Sequence, residues 1–185
     1  MTKCAACSPS PRSTASSSPT SPWRRPQLPS PDSRSSSYRH HEHAEIPATP
    51  DGAADLHATL RGFWNALDNL TPPAANGAWR IDFSTAIGEI VANCSRYAYD
   101  DPTGCTITID LRYADDHVEA LISDAGRPFT GDLRRPMPVH DEVGAVAEQG
   151  RGLAMANALL DQFTYERTSD QLHTWSLRID LPPSA

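Results

Sequence analysis

Glu89 and Asn93 stand four residues apart, so on a helix they share one face. An asparagine side-chain oxygen is a hard ligand of the kind Mg²⁺ accepts. A carboxylate one turn away could hold a metal-bound water or take the proton of an attacking hydroxyl. Further along, Asp124-Ala125-Gly126-Arg127-Pro128-Phe129 places an acid and a glycine where a strand should end. A carboxylate there can accept a hydrogen bond from the exocyclic amine of adenine. Gly126, having no Cβ, lets the backbone come close to a flat ring. Gly150-Arg151-Gly152-Leu153 is a glycine pair that should open a helix. Backbone N–H groups at a helix start bind phosphate, and Arg151 adds a forked donor. Each motif also has a bland reading: a solvent-facing Glu/Asn pair, an Asp-Ala-Gly turn, a flexible loop closing onto a helix. Together, in order and on suitable elements, they point to an adenine nucleotide and magnesium site built without a P-loop.

The elements that must carry these residues follow from periodicity. Ala44–Ala48 reads as a short edge strand, where Pro47 is tolerated. Leu56, Leu60, Phe63, Trp64, Leu67 and Leu70 recur at helical spacing and predict a helix from about Ala53 to Asn69, stopped by Thr71-Pro72-Pro73. A second helix is expected from Ile81 to Tyr99, with Ile87, Ile90, Val91, Cys94 and Ala98 on its buried side. Thr106–Tyr113 and Val118–Ser123 alternate and are joined by a short turn, an antiparallel hairpin. Gly152–Phe163 predicts a third helix, and Phe163–Thr168 with Leu172–Leu181 a closing hairpin. The weakly patterned stretch from Thr130 to Gln149 is too long for an ordinary connection, and its position between two motifs suggests a lid over a nucleotide. The fold class expected is α+β: a two-layer sandwich, with a mixed, mostly antiparallel sheet carrying helices on one face.

Composition narrows the function. The 185 residues carry a formal charge of −7 and suffice for one domain. Residues 1–50 hold six Lys/Arg against three Asp/Glu, whereas residues 51–185 hold ten against twenty. An acidic domain is a poor match for nucleic acid, which rewards clustered cations. Lys3 is the only lysine, so the folded part cannot supply the phosphate-binding lysine of a Walker-type site. Cys4 and Cys7 form a lone CxxC with no second pair, short of a zinc site unless His40, His41 or His43 completed it. No stretch reaches the ~18–20 apolar residues of a membrane span, and the N-terminus has no apolar core of a secretory signal. A cytoplasmic protein is expected. Residues 1–50 include twelve Ser and nine Pro, so residues 1–41 are expected to be a disordered tail and 42–183 the folded domain.

On these motifs the sequence resembles the GHKL ATPases, the superfamily of histidine-kinase catalytic domains, and within it the bacterial anti-sigma factor serine/threonine kinases. Ala44–Ala48 and the helix carrying Arg61 are similar to that family's opening. Glu89–Tyr99 resembles its N-box, Asp124–Phe129 its G1 box, Gln149–Met155 its G2 box, and Thr174 its final threonine. The resemblance covers about residues 44–181. It implies a Bergerat-type ATP-binding fold and two cofactors, ATP and Mg²⁺. It makes Glu89 the catalytic base, Asn93 the Mg²⁺ ligand and Asp124 the adenine reader, with Thr174 beside it. Gly126, Phe129, Gly150, Arg151, Gly152 and Leu153 would line the nucleotide, and Arg96 stands where many members have a basic residue near the phosphates. Two departures are visible: Tyr97 replaces a histidine usual there, and His173 a glycine.

The resemblance implies a kinase that phosphorylates a serine of a small antagonist (anti-anti-sigma) protein and sequesters a sigma factor, and it raises a homodimer as an oligomeric state. A second reading is an ATP-binding regulatory module that grips a protein partner without transfer. Glu89 argues against it, because a pure binder needs no base. A third, a detached histidine-kinase catalytic domain, finds no phosphoacceptor-histidine helix in the chain.

Overall fold

The computed structural model describes residues 38–70, 77–133, 145–167 and 172–181. Eight elements follow one another: β1 (His40–Pro47), α1 (Gly52–Asp68), α2 (Trp79–Tyr97), β2 (Thr106–Tyr113), β3 (His117–Asp124), α3 (Ala145–Leu159), β4 (Gln162–Arg167) and β5 (His173–Asp180). The strands form one sheet in the order β1-β2-β3-β5-β4, and every neighbouring pair is antiparallel. The α+β two-layer arrangement expected from the sequence is observed, but the sheet is antiparallel throughout rather than mixed.

Period-two alternation decides which strand residues face the helices. Ile107, Ile109, Leu111 and Tyr113 of β2 are buried, as are Val118, Ala120 and Ile122 of β3 and Trp175, Leu177 and Ile179 of β5. Against this face lie Leu56, Leu60, Phe63 and Leu67 of α1 and Phe83, Ala86, Ile87, Ile90, Val91 and Cys94 of α2. One apolar stripe per helix and one apolar face per sheet make a single core. The buried residues expected on the second helix are all buried. Leu70, expected on the first helix, lies beyond its end and is exposed.

Several boundaries differ from expectation. β1 begins at His40 rather than Ala44, because its whole length pairs with β2, from His40 opposite Tyr113 to Pro47 opposite Thr106. His41 and His43 project from it and share Asp110 at 2.9 and 3.0 Å, while Cys4 and Cys7 lie outside the described residues. Both α1 and α2 start earlier and end earlier than expected. The largest difference is α3, which begins at Ala145 rather than Gly152. Most of the stretch read as a lid, residues 134–144, lies outside the described residues, as do residues 1–37 of the tail. Among the described residues no helix is long and apolar enough to cross a membrane.

Candidate nucleotide-binding site

α2 runs beneath the C-terminal end of β3, and the two meet at Asp124. Asp124 is the last residue of β3 and shares the inward parity of Ile122. Its carboxylate is 3% exposed, and Oδ1 accepts the Gly126 N–H at 2.9 Å. Cys94 Sγ, on α2, donates to Oδ2 at 3.5 Å. Burial pushes the Asp124 pKa above the ordinary carboxylate range, and the Gly126 and Cys94 hydrogen bonds only partly offset it. Burial, with the Asp124 charge next, pushes the Cys94 thiol well above its usual value, so it stays an S–H donor.

Asp124 forms one wall of a cavity of about 560 Å³, within the range of small-molecule sites. Asn93 and Cys94 of α2, Phe129 of the following loop, Leu153 of α3, Tyr165 of β4 and Trp175 of β5 complete it. The aromatic residues form one cluster. Trp175 lies 4.5 Å from Tyr165 and 5.2 Å from Phe129, centroid to centroid, and Tyr165 Oη accepts the Phe129 N–H at 2.8 Å. The Trp175 indole N–H is buried and has no hydrogen-bond partner among the described residues. A flat apolar slot with a buried acceptor at one side suits a heteroaromatic ring that carries an amine. Arg127, on the rim, is exposed and pairs with Asp100 at 3.0 Å.

Of the site residues expected from sequence, Asn93, Asp124, Phe129 and Leu153 come together in this cavity. Glu89 lines another. One turn before Asn93 on α2 and half-buried, Glu89 faces Gly152 of α3. A Cβ at Gly152 would run into the Glu89 carboxylate, the far end of a flexible side chain. The Asn93 amide N–H donates to the Glu89 backbone carbonyl at 2.8 Å. A carbonyl can only accept, so this bond fixes the amide orientation and leaves the Asn93 side-chain oxygen for another partner.

Several expectations need correction. Gly150 and Gly152 do not precede a helix; they lie inside α3, so their N–H groups are not a free helix start here. Arg151 is exposed on the same helix. Gly126 makes its close approach to Ala98, where a Cβ would strike the backbone carbonyl and Cβ, and not to a ligand face. The Arg127 N–H donates to that same Ala98 carbonyl at 2.6 Å. Arg96 is exposed and lines a second groove between α1 and α2. Thr174 sits opposite Ser123 in the register, and their hydroxyls lie 3.1 Å apart on the sheet face away from the helices. The β5 residue on the Asp124 side is His173, its partner in the register, followed by Trp175. His173 is 2% exposed, and its Nε2 donates to the Gly126 carbonyl at 3.0 Å, tying the turn to β5. Sequence reasoning missed Cys94, Tyr165 and Trp175. The signal was available for the last two: inward-parity aromatics that pair directly across the closing hairpin.

Residues 46–178 match the histidine kinase-like ATPase domain family. The chain belongs to that family. Its match to the serine-protein kinase RsbW of Oceanobacillus iheyensis is 30% identical over 123 residues, covering 63% of this chain and 73% of that protein. Among solved structures it is similar to a chain of the SiaB–SiaC complex from Pseudomonas aeruginosa, at 15% identity and a TM-score of 0.43, covering 75% of this chain and 89% of that one. Membership in an ATPase family implies ATP binding.

The Gly152 contact gives a direct test. In Gly152→Ala the new methyl meets only the far end of the Glu89 side chain, which can swing aside. Alanine also gains about 1 kcal/mol of helix propensity. Thermal stability should therefore stay within about 1 kcal/mol of the parent, while ATP affinity drops a few-fold as α3 is held helical against the phosphate side. A melting curve and an ATP titration on one preparation check both.

Proposed function

We propose that this chain is an ATP- and Mg²⁺-dependent anti-sigma factor serine/threonine protein kinase of the cytoplasm, which phosphorylates a small antagonist protein and sequesters a sigma factor. The observation that carries this reading is Glu89: a half-buried carboxylate one helical turn from Asn93, which lines the cavity beside Asp124. The relative named a serine-protein kinase supports it. The catalytic domain would span residues 42–183, with the Ser/Pro-rich segment 1–41 as a disordered tail.

In this reading adenine enters between the aromatic cluster and Asp124, and its amine donates to the carboxylate. The phosphates run along α2 toward Glu89, with Gly150, Arg151 and Gly152 on the facing side. Once bound, Mg²⁺ would neutralise phosphate charge; the Asn93 side-chain oxygen is a donor that suits a hard cation that keeps several waters. Glu89 takes the proton of the substrate serine hydroxyl. The serine oxygen then bonds to the γ-phosphorus as the bond to the bridging β,γ-oxygen breaks, and ADP leaves. Most of the acceleration comes from in-line positioning and charge neutralisation.

The deciding experiment incubates the full chain with γ-labelled ATP, Mg²⁺ and candidate antagonist proteins. Label should appear on a serine of one of them. Tight ATP binding with no label on any would leave a nucleotide-dependent binding module and defeat the kinase reading.

A further inference from the structure

Outside the nucleotide site, the most unusual side chain is Arg80, in the first turn of α2. It is 14% exposed and lies between two indoles, its Cζ 5.4 Å from the Trp64 ring and 5.5 Å from the Trp79 ring. Nη1 donates to Asp68 of α1 at 2.6 Å. Nε and Nη2 are buried and have no hydrogen-bond partner among the described residues. These two nitrogens form one edge of the guanidinium, the edge that grips a carboxylate with two parallel bonds. Buried donors left unpaired are uncommon and call for a partner.

Arg80 lines a groove of about 980 Å³ between α1 and α2. Arg61 and Arg96 line it too, and Glu89, at the far end, is the one acid among the lining residues described. The setting is a domain whose residues 51–185 carry twenty acids against ten bases, so this is a local reversal of sign. Ile81, 70% exposed, and Trp64 add apolar surface. The chain's own tail is a poor occupant. Residues 1–37 hold five Lys/Arg against one Asp, and like charges would repel.

We propose that the α1–α2 groove docks an acidic segment of a protein partner, and that Arg80 anchors it by receiving an Asp or Glu carboxylate on its free Nε/Nη2 edge. Apolar residues beside that acid pack on Trp64 and Ile81. Cation–π contacts with Trp64 and Trp79 hold the guanidinium in place before the partner arrives, which limits the ordering cost of binding. The site rests on the helix geometry alone and stands whether or not phosphoryl transfer occurs.

Random-peptide display on the full chain tests this, with ATP affinity measured in parallel. Selected peptides should share an Asp or Glu flanked by apolar residues and should quench tryptophan fluorescence. Arg80→Gln should weaken their binding about tenfold or more, and Arg80→Lys should not restore it, because an ammonium lacks the fork. ATP affinity should be unchanged in both. At exposed Ile81, a Glu substitution should weaken the same peptides and a Lys substitution should not; this pair keeps the test valid if Arg80 variants fold poorly. Selected peptides without an acid, peptides that bind Arg80→Gln as tightly as the parent, or a single-stranded DNA oligomer that displaces them would each overturn the proposal.

Discussion

Glu89→Ala should bind ATP within a few-fold of the parent and transfer phosphate to a protein serine about 10²–10⁴-fold more slowly, the usual contribution of a positioned general base. In the proposed site adenine would meet Asp124, Trp175, Tyr165 and Phe129, which line one cavity while Glu89 lines another, so the substitution should leave that part of the binding energy in place. The carboxylate faces Gly152 and sits one turn from Asn93, where its loss removes the proton acceptor and opens space without exposing the core. Equilibrium binding of a fluorescent ATP analogue, together with single-turnover phosphotransfer, separates the two effects. Retained transfer at the parental rate would remove Glu89 from the mechanism. Equal losses in binding and transfer would make it a nucleotide ligand instead.

Asp124→Asn should move stability and binding in opposite directions. Asp124 is buried, and its pKa is raised chiefly by that burial. A carboxyl with a raised folded pKa keeps its proton in the folded state at a pH where the unfolded chain, titrating near ~3.9, has released it. Its contribution to stability is therefore complete below the unfolded pKa and is lost as pH rises through the folded value. Above the folded pKa the folded domain holds a charge that water would solvate better. The amide carries no charge and can still accept the Gly126 N–H, so the variant should melt at a higher temperature than the parent once pH exceeds that value. That advantage should shrink as pH falls through the folded value toward the unfolded one. For nucleotide the amide NH₂ would stand where a purine amine must donate, and two donors would meet. ATP affinity should fall by about 10²-fold, the scale of one lost hydrogen bond to a charged group. Melting curves across pH and an ATP titration give both readouts. An unchanged ATP affinity would remove Asp124 as the base reader.

The trade between these two effects is typical of functional sites, where a locally unfavourable group is kept for what it binds. Cys94 and His173 fit the same pattern. One donates a weak hydrogen bond to the Asp124 carboxylate, and the other ties the adjoining turn to β5, so that the acceptor is held in place before ligand arrives.

Much of this was legible in the residue order alone. The apolar spacing of Leu56, Leu60, Phe63 and Leu67 and of Ile87, Ile90, Val91 and Cys94 defined two helices and their buried faces. Helical geometry is local, and 3.6 residues per turn leaves little freedom over which side is apolar. Alternation located β2, β3 and the closing hairpin to within a residue or two for the same reason. It also held information that the likeness to a known family obscured. Trp175, Leu177 and Ile179 share one parity, so Thr174 had to point to the other face of the sheet, away from Asp124. The lack of lysine beyond Lys3 excluded a Walker-type site outright.

The tertiary structure alone decided which of these faces meet. Asp124, His173, Tyr165 and Trp175 come from three strands, and only the register of β3 with β5 and of β5 with β4 brings them beside Cys94 on α2. No local rule fixes a pairing between residues some fifty positions apart, because that pairing minimises the free energy of the whole core rather than of either strand. The same holds for α3. Its glycines read as a helix start, but the chain is already helical from Ala145, and Gly152 is spent on a close approach to Glu89. The sequence determined which chemical groups were available and which side of each element they occupied; packing determined that Asn93, Asp124 and Leu153 would share one cavity, and that Arg96 would face another.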